Sequence, residues 1–255
     1  NSYDDENYTL YYGSGDANNP PNNRSKIYKL YEDFEDQNHP FTDGTLVTGI
    51  ESTTVKNGNY ALTGQGSGGY RRAVVPESID RGMIIEGWVY SDGDGSNADL
   101  PGLELGMHST NERDGYQAIL DWRSGSSGTA DMQIRENYDS GSPLATDNSN
   151  TVVKYEWYYI RFFFVLNGNL DVKVFNSSMD PYGSLSASDS TYTSGYYGLS
   201  AYKGGKWDDI KARYYLSAEP IVSTQFEQSE EVLLSFLENP SNGFITGNSQ
   251  VIFNC

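Results

Sequence analysis

Cysteine occurs once in these 255 residues, as Cys255, and histidine twice, as His39 and His108. A single cysteine excludes an internal disulfide framework, and two histidines exclude a histidine-rich metal site. No run of about 18 apolar residues is present, so no segment reads as a membrane-spanning helix. The opening has neither the basic start nor the apolar stretch of a signal peptide. Positive charge is also scarce. Seventeen Lys and Arg stand against 35 Asp and Glu, a net charge of −18, and Arg71-Arg72 is an isolated basic doublet. Phosphate recognition needs clustered cations, which argues against nucleic acid as a partner. Long helix-forming stretches are missing as well, whereas glycine and tyrosine abound, with 27 and 21 residues. That balance suits many short strands joined by tight turns, an all-β protein.

The strands show as period-two alternation, which sets one face on the core and the other away from it. Leu103, Leu105 and Met107 alternate with Glu104, Gly106 and His108. Tyr116, Ala118, Leu120 and Trp122 alternate with Gln117, Ile119, Asp121 and Arg123, and Met132 and Ile134 with Gln133 and Arg135. A hairpin is expected over Trp157 to Phe175, its two runs joined at Asn167-Gly168, a pair suited to a type I′ turn. The first run is apolar on both faces, which predicts a central strand covered on each side. After Ser217 the chain turns polar and proline-containing, which places a boundary near residue 220.

The succession Tyr11-Tyr12-Gly13, YEDFED (31–36), VKNGNYALTG (55–64), IIEGWVYSD (84–92), YEWYYIRFFFVLNGNLDVKVF (155–175), SGYYGLSAY (194–202) and WDDIKARYYLSAEPIVS (207–223) resembles the concanavalin A/laminin-G-like jelly roll of archaeal and bacterial multidomain surface proteins. The resemblance implies a two-sheet antiparallel sandwich over residues 27–220, preceded at 1–26 by the end of a β-domain. Residues 221–255 read as a linker and the first strands of another domain. There, Val232 to Leu237, the turn region Pro240 to Gly243, and Val251 and Phe253 before Cys255 resemble the opening of an immunoglobulin-like domain. That likeness implies that Cys255 pairs with a cysteine of a facing strand outside this sequence.

Within the resemblance, a carboxylate of an early strand and one of the last strand grip calcium through oxygen ligands. The matching residues are Asp33 and Glu35 with Asp208 and Asp209; the alternative is a solvated edge. The loop Asp92 to Asp99 spaces oxygen ligands like a calcium loop but lacks the glycine and the bidentate glutamate of an EF-hand, and reads as an exposed turn. Glu104, His108, Gln117, Asp121, Arg123, Gln133 and Arg135 share the non-core side of neighbouring strands. They would suit sugar hydroxyls, with Tyr70 or Tyr138 as stacking platforms, or form a solvated face of cross-strand ion pairs. Sequons begin at Asn7, Asn23 and Asn176, which would suit glycosylation of a secreted chain. A glycosidase needs two carboxylates across the scissile bond, and Glu104 stands alone in its strand. The expectation is therefore a non-catalytic extracellular module of a cell-surface protein, structural or adhesive and calcium-stabilised. Its partners would be neighbouring β-sandwich domains. A carbohydrate-binding module is the alternative and a glycoside hydrolase a weaker one.

Overall fold

The structure is a computed structural model. It describes residues 28–44, 46–65, 71–90, 100–108, 114–121, 132–136, 143–147, 149–202 and 204–215, together with the backbone of 9–12, 131, 221–222 and 249–254. Arg123, Tyr70, Tyr138, Asn7, Asn23, Cys255 and the loop Asp92 to Asp99 lie outside the described residues.

The described chain is all strand and turn. In order, the strands are β1 (Thr9–Tyr12), β2 (Leu30–Glu32), β3 (Thr42–Asp43), β4 (Val47–Glu51), β5 (Ala61–Gln65) and β6 (Arg71–Asp80). Next come β7 (Met83–Tyr90), β8 (Gly102–Met107), β9 (Tyr116–Asp121), β10 (Asp131–Glu136), β11 (Ala145–Asp147) and β12 (Trp157–Phe164). The last six are β13 (Asn169–Phe175), β14 (Pro181–Ser188), β15 (Ser194–Ala201), β16 (Gly204–Tyr214), β17 (Ile221–Val222) and β18 (Ser249–Asn254). Two compact units result: residues 23–215, and the terminal segments 1–22 and 216–255. In the terminal unit β18 pairs antiparallel with both β1 and β17.

The larger unit is a two-sheet antiparallel sandwich, as the alternation implied. One sheet runs β11-β10-β9-β8-β15-β6-β3; the other runs β14-β13-β12-β7-β16-β5-β4, with β2 also pairing with β16. Inward residues of both sheets form one core. Leu103, Leu105, Met107, Tyr116, Ala118, Leu120, Met132 and Ile134 come from the first sheet. Met83, Ile85, Val89, Ile160, Phe162, Phe164, Val172 and Trp207 come from the second. Side chains of this kind contribute about 1.5–3 kcal/mol each when fully buried. Trp207 also ties the layers together, its indole N–H donating to the carbonyl of Gly102 at 3.1 Å.

The hairpin β12–β13 forms where expected, and β12 is buried on both faces. Its turn differs from the expectation. Val165 N–H donates to Asn169 O and Gly168 N–H to Val165 O, leaving a three-residue loop. Gly168 has φ +89°, whereas Asn167 is not among the described residues with positive φ. A type I′ turn requires positive φ at both central residues, so the added residue produces the next commonest hairpin loop.

Candidate functional site

The outward face of the seven-stranded sheet is polar, and its register builds two rows. Gly198, Glu104, Gln117 and Arg135 are successive partners across β15, β8, β9 and β10. Arg72, Ser200, Gly102, Ile119, Gln133 and Thr146 form the second row, from β6 to β11. Alternation alone dictates this, since each residue sits one place from a core residue.

The face is not the solvated surface that the sequence allowed. Glu104 is 0 %, Gln117 1 %, Asp121 5 % and Gln133 6 % exposed. Enclosure is tolerable because the groups neutralise one another. Arg72 Nε lies 3.2 Å from Glu104 Oε2, and its Nη1 3.0 Å from Asp114 Oδ1. Gln117 Nε2 donates to Glu104 Oε1. Farther along, Gln133 Nε2 donates to Asp121 Oδ2 at 3.0 Å, and Arg135 Nε donates to Gln133 Oε1 at 2.6 Å. Burial pushes the Glu104 carboxyl up to about 7, although the Arg72 charge and the Gln117 hydrogen bond oppose the shift. Gln117 Oε1 is buried and has no hydrogen-bond partner among the described residues.

Six of the seven residues expected to form a binding face are thus described, and the structure links them. His108 joins at the rim: its side chain is 53 % exposed, its N–H donates to Asp114 Oδ2 at 2.9 Å, and Asp114 in turn holds Arg72. Arg72, Asp114 and Ser200 were not foreseen. Arg72 was readable from alternation, since it lies between Arg71 and the core residue Ala73. Asp114 belongs to no strand, so no pattern marks it.

The four acids expected around calcium are placed differently. Asp208 is fully buried, and its carboxylate accepts the N–H groups of Lys56, Asn57 and Asp209 at 2.8–2.9 Å. Glu35 Oε1 accepts from Asn59 and Tyr60 N–H at 2.8 and 3.0 Å, and its Oε2 from Asn59 Nδ2 at 3.0 Å. Asp209 Oδ2 accepts from Asn57 Nδ2 at 2.5 Å, and Asp33 Oδ1 from Glu35 N–H at 3.4 Å. Glu35, Asp208 and Asp209 therefore staple the loop 56–60, which donates N–H groups to all three. Among the described residues no group of three or more His, Cys, Asp or Glu gathers to hold a metal. Each of Asp33, Glu35, Asp208 and Asp209 accepts backbone or side-chain N–H bonds from within the protein. Burial, with the neighbouring charge of Asp209, pushes Asp208 up to about 6 against the pull of its N–H donors. Donation from Asn59 and Tyr60 holds Glu35 below the usual carboxylate range. The loop needs glycine at its tip: Gly58 has φ +71°, and a Cβ there would fall 2.2 Å from Glu35 Oε1.

Asn176 turns inward on its own loop, its Oδ1 accepting from Ser178 and Asp180 N–H at 2.9 and 3.0 Å.

No family model matches the chain. The uncharacterized protein MJ1394 of Methanocaldococcus jannaschii is 24 % identical over 173 residues, a stretch covering 64 % of this chain and 16 % of that much longer protein. Two solved structures share the sandwich. One is the carbohydrate-binding module CBM66 from Bacillus subtilis, with TM-score 0.52, 13 % identity, 68 % of this chain and 95 % of that one. The other is the exoplasmic/lumenal domain of VIP36 in its Ca2+/Man3GlcNAc-bound form, with TM-score 0.50, 10 % identity, 69 % of this chain and 86 % of that one. The fold is a lectin-like jelly roll. Two antiparallel sheets, one buried core and the polar outward rows together make up that architecture here.

Proposed function

We propose that residues 23–215 form a non-catalytic carbohydrate-binding module whose sugar contacts lie on the outward face of the seven-stranded sheet. The observation that carries this reading is the linked row Arg72–Glu104–Gln117 with Gln133–Arg135 beside it. Planar amide, carboxylate and guanidinium groups are held in fixed orientation by one another, which reduces the ordering cost of binding hydroxyl groups. Arg135 and His108 are the more open members, and they contact the ligand; Glu104, Gln117 and Arg72 fix the floor beneath them. One of the two solved structures is a carbohydrate-binding module and the other holds Man3GlcNAc, which supports the same reading.

Glu104 acts here as a positioning group. Its carboxylate is held between Arg72 and Gln117, and Asp114, the other acid of the network, lies beyond Arg72. That arrangement is unlike a pair of carboxylates facing each other across a glycosidic bond. We place the module in an extracellular, adhesive segment of a cell-surface protein, a setting that its strongly acidic composition suits.

A glycan array tests the reading. Arg135→Ala is expected to weaken binding to the best glycan about tenfold, the cost of one lost charge-assisted contact, while melting like the parent protein. Unchanged binding in that variant, or an array without signal, refutes the site. Calcium is expected to play no part through Asp33, Glu35, Asp208 and Asp209. A thermal melt with excess chelator should give the same midpoint as one with added calcium, because an ion bound only by the folded form would raise it.

A further inference from the structure

The outward face of the other sheet carries a stripe of positive charge in a chain that is otherwise strongly acidic. Tyr31, Lys211, Glu86, Arg161, Lys173 and Ser184 are successive register partners across β2, β16, β7, β12, β13 and β14. Strands in a sheet lie about 4.8 Å apart, so Lys211 and Lys173 are separated by roughly 14 Å. One buried carboxylate, Glu86, serves two guanidinium groups: Arg161 Nε at 2.8 Å and Arg213 Nε at 3.3 Å. The lysines at the ends hold no carboxylate in the row. Lys211 Nζ lies 5.2 Å from the Tyr31 ring centroid and Lys173 Nζ 5.3 Å from that of Phe163. Asp171, bonded by Ser186 Oγ at 2.6 Å, is the acid on β13 beside the stripe. In and beside the row, Lys211, Arg213, Arg161 and Lys173 stand with Glu86 and Asp171, whereas Asp208 and Asp209 farther along β16 are bonded to the backbone and side chain of Lys56 and Asn57. Beyond Tyr31 the chain turns acidic at 32–36, which confines the positive stretch to the span from Lys211 to Lys173.

We propose that this stripe binds an acidic polysaccharide, a chain bearing one carboxylate per sugar ring, along the line from Lys211 through Arg161 to Lys173. The surface is separate from the polar face of the seven-stranded sheet and does not depend on it. Arg161 and Lys173 lie on adjacent strands and Lys211 two strands from Arg161, across Glu86, so carboxylates carried along a chain of sugar rings can meet the three cations in turn. The rings flanking the stripe do not suit nucleic acid. Trp88, Tyr159 and Phe163 are 4–6 % exposed, so bases would find no open face on which to stack.

The test uses polygalacturonate as the probe and the double variant Lys173→Glu with Lys211→Glu. Both side chains are at least partly exposed, and their loss empties no core position. The parent is expected to bind polygalacturonate at low salt and to release it as salt rises, because exposed charges are screened. The double variant should bind at least about tenfold more weakly, and Lys173→Gln with Lys211→Gln should fall between. Arg135→Ala should bind polygalacturonate like the parent, which separates this surface from the one proposed above. Failure of the parent to bind, equal binding by the charge-reversed variant, or loss in Arg135→Ala would each overturn the proposal. Equally tight binding of single-stranded DNA, or a dimer that dissociates on charge reversal, would do the same.

Discussion

Arg81→Ala is expected to lower the unfolding free energy by about 3–5 kcal/mol, the range for removing one partner from a buried charged network. Arg81 is 9 % exposed and follows β6, next to Gly82, whose φ of +98° turns the chain into β7. Its guanidinium gathers three carbonyls from two stretches of backbone, Val165 after β12 and 189–192 between β14 and β15. Nε donates to Tyr192 O at 3.1 Å, Nη1 to Val165 O at 3.2 Å and Nη2 to Asp189 O at 2.6 Å. The same group stacks over Phe164, 4.5 Å from the ring centroid. Below it, Tyr116 O–H donates to Asp189 Oδ1 and accepts from Tyr192 N–H at 3.1 Å. Truncation would leave the Asp189 and Tyr192 carbonyls without the Arg81 donor at the end of the sandwich, each at a cost of about 1–3 kcal/mol unless water reaches it, while Val165 O keeps the Gly168 N–H. Arg81→Lys keeps the charge but not the planar fork, and should recover only part of the loss. Tyr116→Phe removes a single donor and should cost about 1 kcal/mol. Urea unfolding followed by tryptophan fluorescence measures all three. An Arg81→Ala cost below about 1 kcal/mol would mean that the two connections hold without it.

The strands were readable because each carries its own alternation, and local pattern is enough to tell a core face from an outward one. Leu103 to Met107 and Tyr116 to Leu120 sit as their periods require, and Glu104 and Gln117 share a row because the hairpin sets them opposite each other. Long-range pairing is a different matter. Leu103 meets Leu199, and Leu199 meets Ala73, so Arg72 reaches Glu104 only once β15 has been inserted between their strands. Read alone, the Arg71-Arg72 doublet is two surface cations. The acids at 33–36 and 208–209 stood out as a charge pattern, but charge does not show what will fill it. Backbone N–H groups of residues 56–60 carry no side-chain signature, yet they are the donors to Asp208 and Glu35.

The basic stripe depends on a bulge. Asp208 pairs with Trp88 and Lys211 with Glu86, so three residues of β16 answer two of β7. Strict alternation from Asp208 would have sent Lys211 to the opposite face; the inserted residue, Asp209 at φ +51°, restores it to the outward side. A bulge of this kind leaves no periodic mark, so the alignment of Lys211 with Arg161 and Lys173 is a property of the folded register.

Acidification toward pH 5 is expected to stabilise the protein, and Glu104→Gln to remove much of that gain. The folded Glu104 carboxyl, lifted by burial to about 7 from an ordinary 4.5, keeps a proton that the unfolded chain has already released. Its stabilising contribution is therefore fully present below about pH 4.5 and is lost as pH rises through 7. Asp208, raised from 3.8 to about 6, and Glu32, raised from 4.5 to about 7, push the same way, burial being the main cause in each. Glu35, Asp147 and Asp189 lie below their ordinary values and act oppositely, losing stability as pH falls beneath the usual carboxylate range. The windows hardly overlap, so stability should peak between about pH 4 and 6 and decline toward pH 8. Glutamine at position 104 preserves the shape and the contact with Gln117 without a charge to bury. It should shrink the difference in unfolding free energy between pH 5 and pH 8 by about 2 kcal/mol. Parallel pH profiles for the two proteins would show that Arg72 holds Glu104 ionised across the whole range, so that burial does not prevail over the ion pair.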